Sequence, residues 1–141
     1  MAAIPILLLS IFITLGALHF YWGLGGNWGI GSTVPRTLEG KALLSPTPFH
    51  CFVVGAGLLA FGLLVGIRGE LIAVEMPQLL TDYGLFAVAF IFLARAVGDF
   101  RMVGFFKKLR DTPFGKMDTK LYSPLSLVIG ILCVLVQVTA P

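Results

Sequence analysis

The sequence predicts an all-α membrane protein, a bundle of four transmembrane helices with an interfacial amphipathic segment between the third and fourth helices. Hydrophobic residues make up 57% of the chain and charged residues only 12%, whereas about a quarter of the residues of a soluble domain are charged. The mean hydropathy of +0.97 agrees with this composition. These values exclude a water-soluble protein, and we interpret residues 1–141 as one transmembrane domain.

Four apolar stretches account for most of the chain. Each approaches the roughly 20 residues that a helix needs to cross about 30 Å of hydrocarbon. Helix is required because lipid offers backbone groups no hydrogen-bond partners, and the residue alternation of a membrane β-barrel does not appear. The predicted spans are 4–22, 49–67, 79–97 and 121–138.

The first span is expected to be retained in the membrane and not cleaved as a signal peptide. It has no basic segment before it, and it runs into the aromatic stretch 19–22 without a small-residue cleavage site. The glycine-rich segment 23–31 follows and carries Asn27 and Trp28. It lacks the spacing of a dinucleotide-binding or Walker loop. We expect a backbone that folds against the bundle or, equally, a flexible interfacial loop.

Ser or Thr followed by Pro occurs at the start of the second and fourth spans. Such a pair combines an N-cap side chain with a residue preorganised for the first helical position. Thr47-Pro48 precedes the second span, and Ser123-Pro124 lies inside the start of the fourth. The likeness of 41–46 to 120–124 is the pattern expected of two hairpins of related design, although so short a match also arises by chance.

The connection between the third and fourth spans is predicted to hold an amphipathic helix over 98–110. Apolar residues recur there about every three positions, with cations between them. This pattern suits a helix in the headgroup layer, or a segment that only anchors the topology. The apolar positions are Phe100, Val103, Phe106 and Leu109, and the cations are Arg101, Lys107, Lys108 and Arg110.

The distribution of Lys and Arg predicts the orientation. The first connection has Arg36 and Lys41, the third has six such residues, the second has Arg68 alone, and the termini have none. The positive-inside rule then places the first and third connections in the cytoplasm and both termini outside. The same distribution attributes the pI of about 9.1 to topology and anionic lipid, and nucleic acid is not an expected partner.

The polar side chains fall at the cytoplasmic ends of all four spans, where they form a candidate ligand site. Arg95 and Asp99 are four residues apart, so we expect them to share a helical face and to form an ion pair. His19 is expected to face this pair. Snorkelling of Arg95 and an ordinary aromatic belt are the alternatives. The candidate residues are His19, Tyr21, Trp22, Asn27, Trp28, His50, Arg95, Asp99, Arg101 and Tyr122.

No metal site and no cofactor are predicted. A zinc site lacks a third convincing ligand. His19 and His50 lie at similar depth and have the pattern of two axial haem ligands, but no further haem feature is visible in the sequence.

Three groups of motifs carry a resemblance to a known family. The aromatic-glycine motif spans 19–29, a Gly-Asp-Phe-Arg motif lies at 98–101 with 104–107 after it, and Tyr-Ser-Pro-Leu occupies 122–125. Together they resemble a family of small bacterial four-helix integral membrane proteins of unknown function. The resemblance implies a multi-pass protein of the bacterial cytoplasmic membrane whose polar face is a family feature.

Three functions remain open at this point. The first is binding of an amphipathic or anionic lipid-like ligand at the cytoplasmic leaflet, with membrane lipids as partners. The second is an accessory or assembly role in a homo-oligomer or larger membrane complex, where Gly55, Gly62 and Gly66 would let helices approach a partner. The third is a small membrane enzyme in which His19 acts as acid or base beside Asp99.

Overall fold

The computed structural model describes residues 2–140 and is helical along most of that length. A π-helical turn, Asp118–Tyr122, joins the last two helices into one continuous helical segment. Within residues 2–140 the only extended pairing is an isolated antiparallel bridge between Arg36 and Ala42. The helices are α1 (Ala3–Gly23), α2 (Ile30–Thr33), α3 (Pro48–Arg68), α4 (Gln78–Val97), α5 (Pro113–Met117) and α6 (Ser123–Thr139).

Within the described part of the chain, four helical segments are long and apolar enough to cross a membrane. They are α1, α3, α4 and the continuous segment Pro113–Thr139. This confirms the predicted fold class, and the first three spans end within two residues of their predicted limits. The first and last residues of the predicted domain, 1 and 141, lie outside the described range.

The fourth helical segment begins eight residues earlier than predicted. Its N-cap is Thr112, whose Oγ1 accepts a hydrogen bond from the backbone N–H of Gly115 at 3.0 Å, with Pro113 at the first helical position. Ser123-Pro124 therefore lies inside a helix. Pro124 has no N–H and crowds the carbonyl of the preceding turn, and the turn before it is the widened π-helical one. Thr47-Pro48 does begin α3, as predicted.

The bundle consists of two packed helix pairs, α1 with α3 and α4 with α6. Glycines bring the helices of the first pair together. A Cβ added at Gly55 would lie 3.1 Å from the Phe20 ring, and one at Gly62 would lie 3.1 Å from the Cβ of Phe12. Gly66 is equally enclosed. The glycines that the sequence offered for contact with a partner protein thus serve packing within the chain.

Aromatic rings connect the two pairs at the centre of the bundle. Phe12 of α1, which is fully buried, meets Phe61 of α3 and Phe92 of α4 with ring centroids 6.0 and 5.6 Å apart. Phe61 and Phe92 lie 6.4 Å from each other. These three rings and the aliphatic core around them occupy the middle of the bundle, while many large apolar side chains point outward, as expected of faces that meet lipid.

Polar contacts join the two pairs at the end of the bundle that carries the second connection. Arg68 of α3 donates from Nη2 to the carbonyls of Gln137 and Ala140, at 3.2 and 3.0 Å. The buried Gln137 amide in turn donates to the Thr81 carbonyl at 2.9 Å and accepts from the Leu85 N–H at 3.2 Å. These backbone groups of α4 give the buried Gln137 amide the hydrogen-bond partners without which it would be costly to bury.

Candidate functional site

The predicted constellation lies at the opposite end of the bundle and divides into two separate clusters. We call the first the histidine groove. Its lining residues are His19, Trp22, Ile30, Thr33, Val34, Pro46, His50, Cys51 and Val54. We call the second the carboxylate network. Its members are Arg95, Gly104, Lys107, Asp118, Thr119 and Ser123.

The histidine groove lies between α1, α3 and the first connection. Its narrower part has a volume of about 170 Å³. A wider part of about 320 Å³ adjoins it, shares four lining residues, and adds Pro35, Leu44 and Ser45. Among the described residues that line either part, none is Asp, Glu, Lys or Arg. The groove is therefore an apolar cleft with a few polar groups, which is the usual character of a small-molecule site.

His19 belongs to the groove and not to the Arg95 side of the bundle. Its Nδ1 lies 2.8 Å from the carbonyl oxygen of Leu15, one turn back on α1, and its ring meets the Trp22 ring edge-on at 5.1 Å. The prediction that His19 faces Arg95 or Asp99 is wrong, because α1 packs along α3 and only weakly against the second helix pair.

His50 is the third residue of α3 and takes part in its capping box. The Thr47 hydroxyl lies 2.8 Å from His50 Nδ1, and the backbone N–H of Thr47 donates to the same nitrogen at 3.2 Å. The His50 N–H donates to Thr47 Oγ1 at 3.4 Å. The cap thus fixes both the start of the helix and the orientation of the imidazole, whose ring is exposed at the groove.

The glycine-rich segment folds back on the end of α1 and is held by its own aromatic residues. Trp22 Nε1 donates to the Trp28 carbonyl at 2.8 Å, and the Trp28 N–H donates to the Tyr21 hydroxyl at 3.3 Å. The Tyr21 ring lies directly over Gly26, which leaves no space for a Cβ. Asn27 is exposed, and its carbonyl accepts from Ile30 at 3.3 Å. Of these predicted site residues, only Trp22 lines the groove.

The carboxylate network centres on Asp118, which is fully buried. Its Oδ1 accepts from Arg95 Nη2 at 2.6 Å, and its Oδ2 lies 3.0 Å from Lys107 Nζ. Oδ2 also accepts from the Gly104 N–H at 2.9 Å and from the Ser123 hydroxyl at 3.0 Å. Two cations and two neutral donors therefore surround one carboxylate, an arrangement that lets a charge remain ionised away from water.

Lys107 completes this network from the third connection. Its side chain is fully buried, and Nζ donates to the Gly104 carbonyl at 3.0 Å and to Thr119 Oγ1 at 2.6 Å, besides contacting Asp118. The three donors of the ammonium are all used. The sequence-based interpretation of Lys107 as a headgroup-facing cation is wrong. The sequence did contain a signal for this network: Asp118 lies about one turn before the predicted span 121–138, and a carboxylate so close to an apolar stretch requires a cationic partner.

The predicted Arg95–Asp99 ion pair does not form. Helix α4 ends at Val97, and Gly98 turns the chain with a φ of +89°. Asp99 therefore does not share a helical face with Arg95, and its Oδ1 accepts from the backbone N–H groups of residues 101, 102 and 103 at 2.9, 2.7 and 2.9 Å. Slight burial raises the pKa of Asp99, but these N–H groups outweigh it and hold the pKa below its ordinary value.

Residues 98–110 do not form the predicted amphipathic helix. They fold as an irregular segment in which the backbones of Gly98 and Gly104 lie in close contact. A Cβ added at either glycine would overlap the backbone around the other one. Phe100 and Phe106 are exposed side by side, with centroids 6.2 Å apart. Arg101 is exposed and lines neither part of the groove.

Tyr122 links the first connection to the fourth helical segment. Its hydroxyl lies 3.4 Å from Ser32 Oγ, and its ring packs against Phe114 at 6.0 Å. Through this contact the first and third connections lie at one end of the bundle. Among residues 2–140 no three His, Cys, Asp or Glu side chains cluster as metal ligands would.

The fold defines a class of protein: a multi-pass helical membrane protein of two packed helix pairs, with a groove and a buried ionic network at one end. The chain belongs to the family described as "Protein of unknown function (DUF3995)", which it matches over residues 12–133. That range contains every residue of both clusters. No curated protein and no solved structure matches the chain. Membership of an unknown-function family is thus confirmed, whereas bacterial origin stays a prediction.

Proposed function

We propose that this protein binds the polar head of an amphipathic, lipid-borne ligand in the histidine groove. The observation that carries the proposal is the composition of the groove: His19, His50, Trp22 and Thr33 border a mostly apolar cleft at the ends of two membrane-spanning helices. The cleft continues onto exposed apolar surface, since Val54 lines it and is 46% exposed. A ligand whose chain remains in lipid and whose head enters the cleft fits such a surface.

The size and charge of the groove narrow the kind of ligand. Sites for drug-sized molecules occupy about 300–1,000 Å³, so volumes of about 170 and 320 Å³ suit a head group with the first part of its chain. The sequence favoured an anionic ligand because of Arg95 and the cations of the third connection. That argument fails for the groove, because none of these residues lines it and because Arg95 and Lys107 both pair with Asp118.

The other two functions receive less support from the contacts. Asp99 is engaged by three backbone N–H groups and lines neither part of the groove, so it offers His19 no acid–base partner. The glycines that favoured an assembly role pack against side chains of this chain. We therefore propose ligand binding alone.

The positive-inside rule supports an orientation for the groove. The first connection, which forms one wall, and the third connection, which lies at the same end, carry most of the Lys and Arg. We infer that the groove opens at the cytoplasmic leaflet of the cytoplasmic membrane and that both termini lie outside.

Photolabelling with a matched pair of variants tests the proposal. The full chain is reconstituted in phosphatidylcholine vesicles with diazirine-bearing long-chain probes, one with an alcohol head and one with a phosphate head. Val54→Trp fills the groove, whereas Val53→Trp adds the same bulk at the neighbouring exposed position, which does not line it. We expect at least one probe to label residues 30–54 saturably in the wild type and in Val53→Trp, and not in Val54→Trp.

Two results would contradict the proposal. One is labelling of this segment that never saturates with either probe, as for lipid in random contact. The other is equal labelling of the two tryptophan variants, which would show that the ligand does not enter the groove.

A further inference from the structure

The hydrogen bond that His19 makes within α1 leaves the groove a hydrogen-bond acceptor. The Leu15 carbonyl oxygen can only accept, so His19 Nδ1 must carry the proton in the 2.8 Å contact between them. In the neutral imidazole the other nitrogen, Nε2, then carries a lone pair. His19 therefore presents an acceptor, with its ring held in place by Trp22.

The capping box of α3 leaves His50 with the opposite role. The backbone N–H of Thr47 can only donate, so His50 Nδ1 must be the acceptor in that contact. The neutral ring then carries its proton on Nε2, which is a donor. The Thr47 hydroxyl fits this assignment, since it donates to Nδ1 while accepting from the His50 N–H. Both tautomers thus follow from backbone partners that cannot change their roles.

We propose that the groove selects an uncharged head group bearing a hydroxyl, such as that of a monoacylglycerol or a long-chain alcohol. This inference rests on the proposed function. A hydroxyl both donates and accepts, so it can give its proton to His19 Nε2 and accept from His50 Nε2–H. An ester or a fully methylated head only accepts, and leaves the lone pair of His19 without a partner in an apolar cleft.

A phosphate head fits this site poorly for two reasons. A doubly ionised phosphate, which is the main form of a phosphate monoester above its second pKa of about 6, is also without a donor for His19. Its charge would enter a cleft in which none of the described lining residues is Lys or Arg, and a charge without a partner is costly to remove from water. The donor and acceptor arrangement therefore predicts discrimination by hydrogen-bonding type and against negative charge.

The tautomers are testable without any ligand. The chain has two histidines, so ¹⁵N-histidine labelling in detergent micelles gives two resolvable imidazoles at about pH 8, where free imidazole, with a pKa of about 6.5, is neutral. We expect the Nδ1–H form for His19 and the Nε2–H form for His50. The His19→Phe variant retains only the His50 imidazole and so assigns the two sets of signals. The same tautomer at both positions would overturn the inference.

Competition experiments test the selectivity. Displacement of the photoprobe that labels the groove is measured for 1-monooleoylglycerol, its dimethyl ether and oleyl phosphate. Loss of one hydrogen bond is expected to make the dimethyl ether about fivefold weaker, and oleyl phosphate weaker still. In His19→Phe, which keeps an aromatic ring against Trp22, the hydroxyl compound and its ether should bind equally.

The outcomes separate this inference from the function on which it rests. Saturable binding of all three compounds without preference, or preference for the phosphate, would overturn the inference and leave the groove as a ligand site. Absence of displacement by all three, together with no saturable labelling by either photoprobe, would contradict the proposed function itself.

Discussion

Replacement of Asp118 by Asn is predicted to be among the most destabilising isosteric changes in the protein. The substitution keeps the volume of the side chain but removes the charge that faces Lys107 and Arg95. Because the Lys107 side chain is 0% exposed, its ammonium would have neither water nor an anion as partner. Removal of one member of a buried ion pair costs about 3–5 kcal/mol, and we expect a loss of that size in the free energy of unfolding.

The two cations of the network should contribute unequally. The Arg95 side chain is 31% exposed, so the ion pair that it forms with Asp118 is partly solvated. Arg95→Met should therefore lower the free energy of unfolding by only about 1 kcal/mol. Lys107→Met leaves Asp118 with Arg95 and two neutral donors but removes the partner of the Gly104 carbonyl. Its expected cost is about 1–3 kcal/mol.

Unfolding in mixed dodecyl maltoside and SDS micelles measures these changes. Trp22 and Trp28 report by fluorescence, since they lie at the network end of the bundle. Lys108→Met is the matched control, because Lys108 adjoins Lys107 and is exposed. It should change stability by no more than about 0.5 kcal/mol. The double change of Lys107 to Met and Asp118 to Asn should cost less than the sum of the single changes by about 0.5–3 kcal/mol.

The reasoning would be refuted by a loss below about 1 kcal/mol for Asp118→Asn, which is the range of exposed ion pairs. Strict additivity of the two single changes would refute it as well, because it would mean that Lys107 and Asp118 do not interact.

Two further predictions concern the first connection and the orientation. Gly26→Ala should displace the Tyr21 ring and lower the free energy of unfolding by about 1–3 kcal/mol. Gly31→Ala, which has open space at its Cβ, is the control and should leave stability and tryptophan emission near wild type. Equal effects of the two changes would argue against packing at Gly26. In intact cells a membrane-impermeant thiol reagent should label Glu75→Cys in the second connection and leave Lys108→Cys unlabelled until the membrane is opened; the reverse pattern would invert the proposed topology.

The spans could be predicted because an apolar segment of about 20 residues is long enough to cross the hydrocarbon and must be helical to satisfy its backbone hydrogen bonds. The start of α3 could be predicted as well, since Thr47 supplies the N-cap and Pro48 the first helical position, and both act within the first turn of the helix. The ion-pair partner of Arg95 could not be predicted, because residues four apart share a face only inside a helix. Gly98 ends α4 one residue before Asp99, and the partner of Arg95 is Asp118, which lies 23 residues after Arg95 in the chain.

The third connection shows why periodicity alone misled. Apolar residues every three positions suit a helix, but the close backbone contact between Gly98 and Gly104 needs a folded-back loop. The two glycines were the local signal, and their mutual contact is not visible in sequence. For the groove, depth alignment brings His19 and His50 to one end of the bundle, yet their tautomers depend on Leu15 and Thr47 in three dimensions. Their role in binding stays a prediction.

The π-helical turn makes the length of segment 118–122 matter as much as its composition. Residues five apart are about 140° apart around an ordinary α-helix, but the wider turn places the Ser123 hydroxyl 3.0 Å from Asp118 Oδ2. Deletion of one residue here would restore α-helical register and rotate the aspartate away from its partners without altering any of them. Among relatives that keep this network, gaps and insertions in the turn should therefore be absent, even where its individual side chains vary.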